Sequence, residues 1–183
     1  SWESLATPGK TYEYDISNKE KKLVKEVIIP SGHDPEKYIV ERIKAKSHDG
    51  RMVPISLVRL KKSKQDGNAK VLLYAYGAYK HSIDTTFSAS RVCLVDRGII
   101  FAIAHVRGGG DLGDVWHEEG KLKLKKNTFF DYIACANHLI DQRYTYKGGI
   151  CFYGVSAGGL TGGALANMAP DLFFSMLLLV PFV

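Results

Sequence analysis

Apolar and polar positions along the chain follow two regimes that change near residue 70. Before it, short alternating runs dominate. "TYEYDI" and "KKLVKEVII" flank the turn-forming "SNKE" and predict a β-hairpin. Pro30 through Pro35 form a linker rich in turn residues. "KYIVERIKAK" and "RMVPISLVRL" then flank Ser47-His48-Asp49-Gly50, where Asp-Gly supplies the positive φ of a tight turn, and predict a second hairpin. Pro54 has no N–H to offer a ladder, which assigns its strand to a sheet edge.

From Lys70 onward, continuous apolar runs alternate with helical segments. "KVLLYAY", "GIIFAIAHV", "GGICFYG" and "FFSMLLLV" read as strands buried on both faces, as in parallel sheets. "FSASRVCLVDRG" reads as a helix stopped by Gly98. "TFFDYIACANHLIDQ" places Phe129, Ile133, Ala136 and Ile140 at helical spacing, with Asn127 or Thr128 as its cap, and "SAGGLTGGALANM" is a further helix. This alternation implies right-handed crossovers and an open, mostly parallel α/β sheet preceded by a short β segment. The linker that starts near residue 30 separates the terminal β segment from the α/β domain and divides the chain into residues 1–35 and 36–183.

Composition narrows the class. With 183 residues, 45% hydrophobic and 24% charged, the chain matches a soluble globular domain. Its longest apolar stretches fall short of the roughly 20 residues of a membrane-spanning helix, so no membrane partner is expected. The start "SWESLATPGKTYEYD" lacks the basic and apolar regions of a secretory signal. Three cysteines, Cys93, Cys135 and Cys151, give neither a disulfide framework nor a zinc pattern; each reads as a small core residue, and a reducing, cytoplasmic setting is expected. The net charge of +6 raises nucleic acid as a partner. Yet "KKSK" and the set Lys121, Lys123, Lys125 and Lys126 are short and lack interleaved aromatics, so they read as solvated surface and no nucleic-acid partner is expected.

Chemistry enters at Gly154-Val155-Ser156-Ala157-Gly158. This is Gly-x-Ser-x-Gly between a predicted strand and a predicted helix, the setting of a nucleophile elbow. A sharp turn there lifts Ser156 Oγ above the strand end, and glycine removes side chains that would collide with it. The Ala157 N–H opens the helix, where free donors and the positive dipole end stabilise an oxyanion. Gly158, Gly159, Gly162 and Gly163 each cost about 1 kcal/mol relative to alanine in a helix, which close packing on the sheet must offset. The bland alternative is a glycine-rich turn with an idle serine. A phosphate-binding loop would need Gly-Lys-Ser/Thr, which this stretch lacks.

A second cluster, "HVRGGGDLG", matches Gly-x-Gly-x-x-Gly through Gly108, Gly110 and Gly113. A dinucleotide fingerprint should open a helix directly. The charged "DLGDVWHEEGKLKLKKN" that follows reads instead as a loop over the carboxyl edge of the sheet. Asp111, Asp114, Glu118 and Glu119 show no metal-ligand spacing and read as solvated, so neither metal nor cofactor is expected.

All six histidines, at 33, 48, 81, 105, 117 and 138, precede Ser156, whereas α/β-hydrolases order the triad Ser, acid, His. Asp171 follows too soon to be the orienting acid and belongs to the local "APDLF" turn. A serine hydroxyl without a base is a poor nucleophile.

The segments "LLYAYGAY", "LVDRGIIFAIAHVRGGGDLGDVWHEEGK", "KKNTFFDYIACANHLI", "YGVSAGGLTGGALANMAPDLF" and "VPFV" resemble the prolyl oligopeptidase family of serine peptidases over essentially the whole chain. Ala157 and the ending "PFV" resemble its oligopeptidase B (protease II) branch. The resemblance implies a β-propeller capping an α/β-hydrolase domain, with residues 1–35 as the propeller's end and linker, and 36–183 as the first half of the hydrolase domain. It implies Ser156 as nucleophile, with the oxyanion held by the Ala157 N–H and the hydroxyl of Tyr76. Pattern alone reads Tyr76 as an aromatic anchoring a strand end. It also implies cleavage of short peptides after Arg or Lys, with the specificity residues, the triad acid and the histidine downstream. A fragment, or one part of an enzyme whose C-terminal half is encoded separately, is therefore expected.

Overall fold

The computed structural model describes residues 1–182. β1 (Lys10–Tyr14) and β2 (Lys21–Glu26) pair antiparallel as a small sheet of their own. The second sheet has six strands: β3 (Tyr38–Lys46), β4 (Met52–Leu60), β5 (Val71–Tyr74), β6 (Ile100–Ala104), β7 (Ile150–Val155) and β8 (Phe173–Leu179). Their spatial order is β3-β4-β6-β5-β7-β8, antiparallel from β3 to β6 and parallel from β6 to β8. The helices are α1 (Ala89–Val95), α2 (Asp114–Glu118), α3 (Lys126–Asp141) and α4 (Gly158–Met168).

Both faces of the sheet are partly covered. On one, Tyr132, Cys135 and Leu139 of α3 and Leu165 of α4 join Val53, Ile55, Leu57, Leu73 and Phe152 in the main core. Burying side chains of this size stabilises by about 1.5–3 kcal/mol each. Tyr132 is fully buried, and its hydroxyl donates to Leu73 O at 3.1 Å, so its phenol lies well above the usual range through burial. On the other face, Val95 of α1 packs with Leu5, Ala6, Val58, Leu60, Phe101 and Ile103.

Several expectations need correction. Pro54 lies on an interior strand, because β4 pairs with β3 on one side and β6 on the other. The β4–β6 ladder begins at Ile55–Ala104, and Pro54 O still accepts from His105 N at 3.0 Å. A strand residue's N–H and C=O point to the same side. The donor that proline lacks therefore falls where β6 is leaving the sheet, not inside a ladder. Neither Asn127 nor Thr128 caps α3, which starts at Lys126 without a side-chain cap. The Thr128 hydroxyl donates to Arg107 O (2.7 Å) and the Asn127 amide to Glu119 O (2.9 Å), so tertiary partners claim both. The charged stretch after β6 is not all loop, since it contains α2 and a helical turn at Leu122–Leu124. Cys135 and Cys151 are buried, but Cys93 is exposed, its Sγ accepting from Arg97 at 2.7 Å.

One buried ionic cluster joins three segments. Arg107, 1% exposed, donates through its backbone N–H (3.0 Å), Nε (2.8 Å) and a terminal nitrogen (2.6 Å) to Asp131 of α3, which is fully buried. Its guanidinium also reaches Asp49 in the β3–β4 turn, at 2.5 and 3.2 Å. The Ser47 hydroxyl donates to Asp131 at 2.6 Å. Burial alone would lower the arginine's pKa, but the two aspartates raise it above its ordinary value.

Candidate active site

β7 ends at Val155 and α4 begins at Gly158, so the chain reverses within two residues. Ser156 sits at the reversal with φ +51°, in the left-handed region, and is exposed. L-residues pay roughly 1–2 kcal/mol there. The bend is held from both sides. Ser156 N donates to Leu179 O (3.0 Å), and Ser156 O accepts from Gly159 N and Phe182 N (2.8 Å each).

The glycines around the serine answer to close contacts. A Cβ on Gly154 would lie 2.6 Å from the Phe152 ring, and one on Gly158 would lie 3.0 Å from Ala75 O. One on Gly159 would press on Pro181 at 2.5 Å, and one on Gly162 on Leu178 at 2.5 Å. α4 thus approaches the sheet closely, as its glycine content predicts. Ala157 is buried at the helix's first turn, and among the described residues no group accepts its N–H.

Tyr76 lies two residues beyond the last paired position of β5, Tyr74, which faces Tyr153 of β7. Its Cα and ring would lie 3.6 and 3.7 Å from a Cβ on Gly158. The fold therefore brings Ser156, Ala157 and Tyr76 to one end of two adjacent parallel strands. Periodicity could not find Tyr76 because its place depends on the β5–β7 register.

Five of the six histidines have identifiable contacts, none of them with Ser156. His33 contacts Ala6 O (2.6 Å), His117 contacts Gly108 O (2.8 Å), His48 packs on Phe130, and His81 meets the Tyr76 ring edge-on. His105 is buried between Ser56 Oγ (2.9 Å) and Asp111 Oδ1 (2.6 Å). That places Asp111 in the interior, correcting its reading as a solvated loop residue. Asp114 and Glu118 are exposed and pair with Lys80 and Lys121, while Glu119 pairs with Arg51. Among the described residues no histidine hydrogen-bonds Ser156, and Asp171 pairs with Lys147 at 3.1 Å on the surface. None of the described residues forms a group of three or more His, Cys, Asp or Glu able to hold a metal ion. No described helix is long and apolar enough to cross a membrane. A groove of about 1050 Å³ lies among His33, Tyr38, Lys62 and Cys93 and includes none of Ser156, Ala157 or Tyr76.

Lys125 departs from its reading as a solvated lysine. It is partly buried, and its ammonium donates to Gly77 O and to Thr128 Oγ1 (3.2 Å). Burial lowers its pKa to about 8 from an ordinary 10.5. In that window the unfolded chain binds the extra proton, so a destabilisation fully present below pH 8 fades toward pH 10.5. Denaturant titrations should show the folded state gaining on the order of 2 kcal/mol from this group as pH rises across the window, a gain missing in Lys125→Met. A variant with the wild-type slope would remove Lys125 as its source.

The Prolyl oligopeptidase family profile matches residues 85–183. The chain is 43% identical over 184 residues to dipeptidyl aminopeptidase BI of Pseudoxanthomonas mexicana, covering 100% of this chain and 25% of that protein. It is 40% identical to Protease 2 of Moraxella lacunata, covering 100% and 26%. Oligopeptidase B from Trypanosoma brucei with covalently bound antipain superposes with a TM-score of 0.91 at 43% identity, over 99% of this chain and 26% of that one. The chain thus spans about a quarter of the length of the curated relatives it matches. A parallel α/β sheet with a preceding β segment, a serine at the strand–helix bend and a profile match over more than half the residues agree: the chain belongs to the prolyl oligopeptidase family of peptidases.

Proposed function

We propose that this chain is the nucleophile-bearing segment of a cytoplasmic serine oligopeptidase, with residues 1–35 ending a propeller and residues 36–183 opening a hydrolase domain. Ser156 Oγ attacks the peptide carbonyl, forming the ester bond as its proton passes to a general base. The amide C–N bond then breaks, the leaving amine takes that proton, and water hydrolyses the ester. The Ala157 N–H and the Tyr76 hydroxyl receive the oxyanion. The observation that carries this reading is the exposed, left-handed Ser156 between β7 and α4. Cleavage of short peptides after Arg or Lys rests on the likeness to oligopeptidase B and Protease 2.

The base lies outside the six histidines of this sequence. By itself, the 183-residue chain should hydrolyse an Arg-containing reporter poorly. A second reading, assembly with a separately made C-terminal half, is favoured by β8. Among the described residues this strand has a neighbour on one side only, and it exposes Phe174, Leu177, Leu179 and, just beyond it, Val180. Such an edge is an invitation to strand pairing.

Both readings are tested by producing the chain alone and with the C-terminal half of a relative's hydrolase domain. A fluorophosphonate probe should label Ser156 strongly only in the mixture, which should cleave an Arg reporter in preference to a Pro reporter. Labelling elsewhere would end the nucleophile assignment. Preference for Pro would end the Arg/Lys assignment. Full activity of the chain alone would end the need for a second half.

A further inference from the structure

The glycine-rich turn after β6 lies directly against the loop that begins at Tyr76. A Cβ on Gly108 would overlap the Gly77 carbonyl, one on Gly110 the Lys80 carbonyl, and one on Gly109 would lie 2.9 Å from His81 O. Lys80 N donates to Gly108 O (3.1 Å) and Gly110 N to His81 O (3.4 Å). The glycines serve as a pad on which a second backbone rests. The loop needs this support. Tyr79 and Lys80 are consecutive non-glycine residues at φ +55° and +57°, a conformation that costs about 1–2 kcal/mol per residue.

The pad leaves one point to be held from elsewhere, the turn immediately after Tyr76. Gly77 has φ +72°, and a Cβ there would overlap Thr128 and lie 2.9 Å from Val106. Its carbonyl accepts from the Lys125 ammonium, which also meets Thr128 Oγ1, while the Thr128 hydroxyl donates to Arg107 O. Thus Lys125 and Thr128 at the head of α3 together tie the turn after β5 to the turn after β6.

We propose that Lys125 is a positioning residue for the oxyanion-binding tyrosine: its ammonium holds the Gly77 carbonyl down on the glycine pad and so fixes Tyr76 beside the start of α4. The inference rests on the reading of Tyr76 given under the proposed function. The surroundings of Lys125 suit a charge-dependent clamp. From α3 it meets Thr128 and, at 6.0 Å, the Phe129 ring. The loop after β5 offers the Gly77 carbonyl, with Tyr76 and His81 beyond it. From the loop after β6, Arg107 turns its guanidinium to Asp131 and Asp49, and before α3 Glu119 turns to Arg51. No carboxylate among the described residues pairs with Lys125. A charge-assisted hydrogen bond is about twice as strong as a neutral one, and an uncharged side chain at this position cannot supply it.

Amide exchange on the full 183-residue chain tests the clamp without catalysis. At pH 7 the protection of the Lys80, His81 and Ile83 amides, corrected for intrinsic rates, should be about tenfold lower in Lys125→Met than in the wild-type chain. Lys125→Arg, which keeps a charged donor, should stay near the wild-type level. Core amides of β5 and β7 report whether each variant is folded. Wild-type protection in Lys125→Met, or arginine behaving like methionine, would overturn the proposal. In the mixture with a C-terminal half, fluorophosphonate labelling should slow in Lys125→Met and in Tyr76→Phe, with no further loss when both are combined. Additive losses would also overturn it. If Tyr76→Phe labels at the wild-type rate, the oxyanion role of Tyr76 fails, whatever the exchange data say of the clamp.

Discussion

Arg107→Met is expected to lower the stability of the folded chain by about 3–5 kcal/mol, the usual cost of stripping one partner from a buried ion pair. Globular domains are stable by only about 5–15 kcal/mol, so a third or more of the margin would go. The cause is the charge left behind, not the lost attraction. Asp131 has no solvent exposure and would keep only the Ser47 hydroxyl and the Arg107 backbone N–H as donors. Removing both charges should be milder, so Arg107→Met combined with Asp131→Leu should recover part of the loss. Asp49→Asn should cost least, because Asp49 is about a third exposed and water can replace the arginine. Denaturant midpoints followed by circular dichroism would rank the three. If Arg107→Met cost under 1 kcal/mol, the cluster would not be what joins the β3–β4 turn, the glycine turn and α3.

That cluster also marks where the sequence stops being readable. Elements were legible wherever local pattern decides them. The Asp49-Gly50 turn separates β3 from β4, Gly98 with φ +86° follows α1, and the unbroken apolar runs became β5 to β8. What escaped depends on neighbours distant along the chain. Pro54 reads as an edge residue until β6 is known to leave the sheet beside it. Thr128 reads as a helix cap until the Arg107 carbonyl takes its hydroxyl. Lys125 and Asp111 read as solvated charges, yet each is drawn inward by a partner at least six residues away, Gly77 and His105. At the site, Gly-x-Ser-x-Gly predicts strand, bend and helix from five residues because all three are local. Tyr76 joins them only through the parallel register of β5 on β7, and family resemblance rather than pattern pointed to it.

The bend at Ser156 makes the last prediction, in which stability and chemistry move apart. Ser156→Ala and Ser156→Gly should both abolish fluorophosphonate labelling in the assembled enzyme and lower peptide hydrolysis by a factor on the order of 10⁶, as loss of a serine nucleophile does. Their stabilities should differ. At φ +51° alanine meets the same backbone clash as serine, whereas glycine has no Cβ to clash. Glycine also leaves a more flexible unfolded chain, which takes back part of the gain. The glycine variant should therefore be more stable than the alanine variant by about 1 kcal/mol, and Ser156→Val less stable than either. On an ordinary strand the order would be reversed, since valine suits a strand and glycine weakens it. Thermal melts of the three purified chains decide the matter. Valine above alanine above glycine would mean that Ser156 continues β7 as extended backbone, and the strain that presents its hydroxyl to a substrate would not exist.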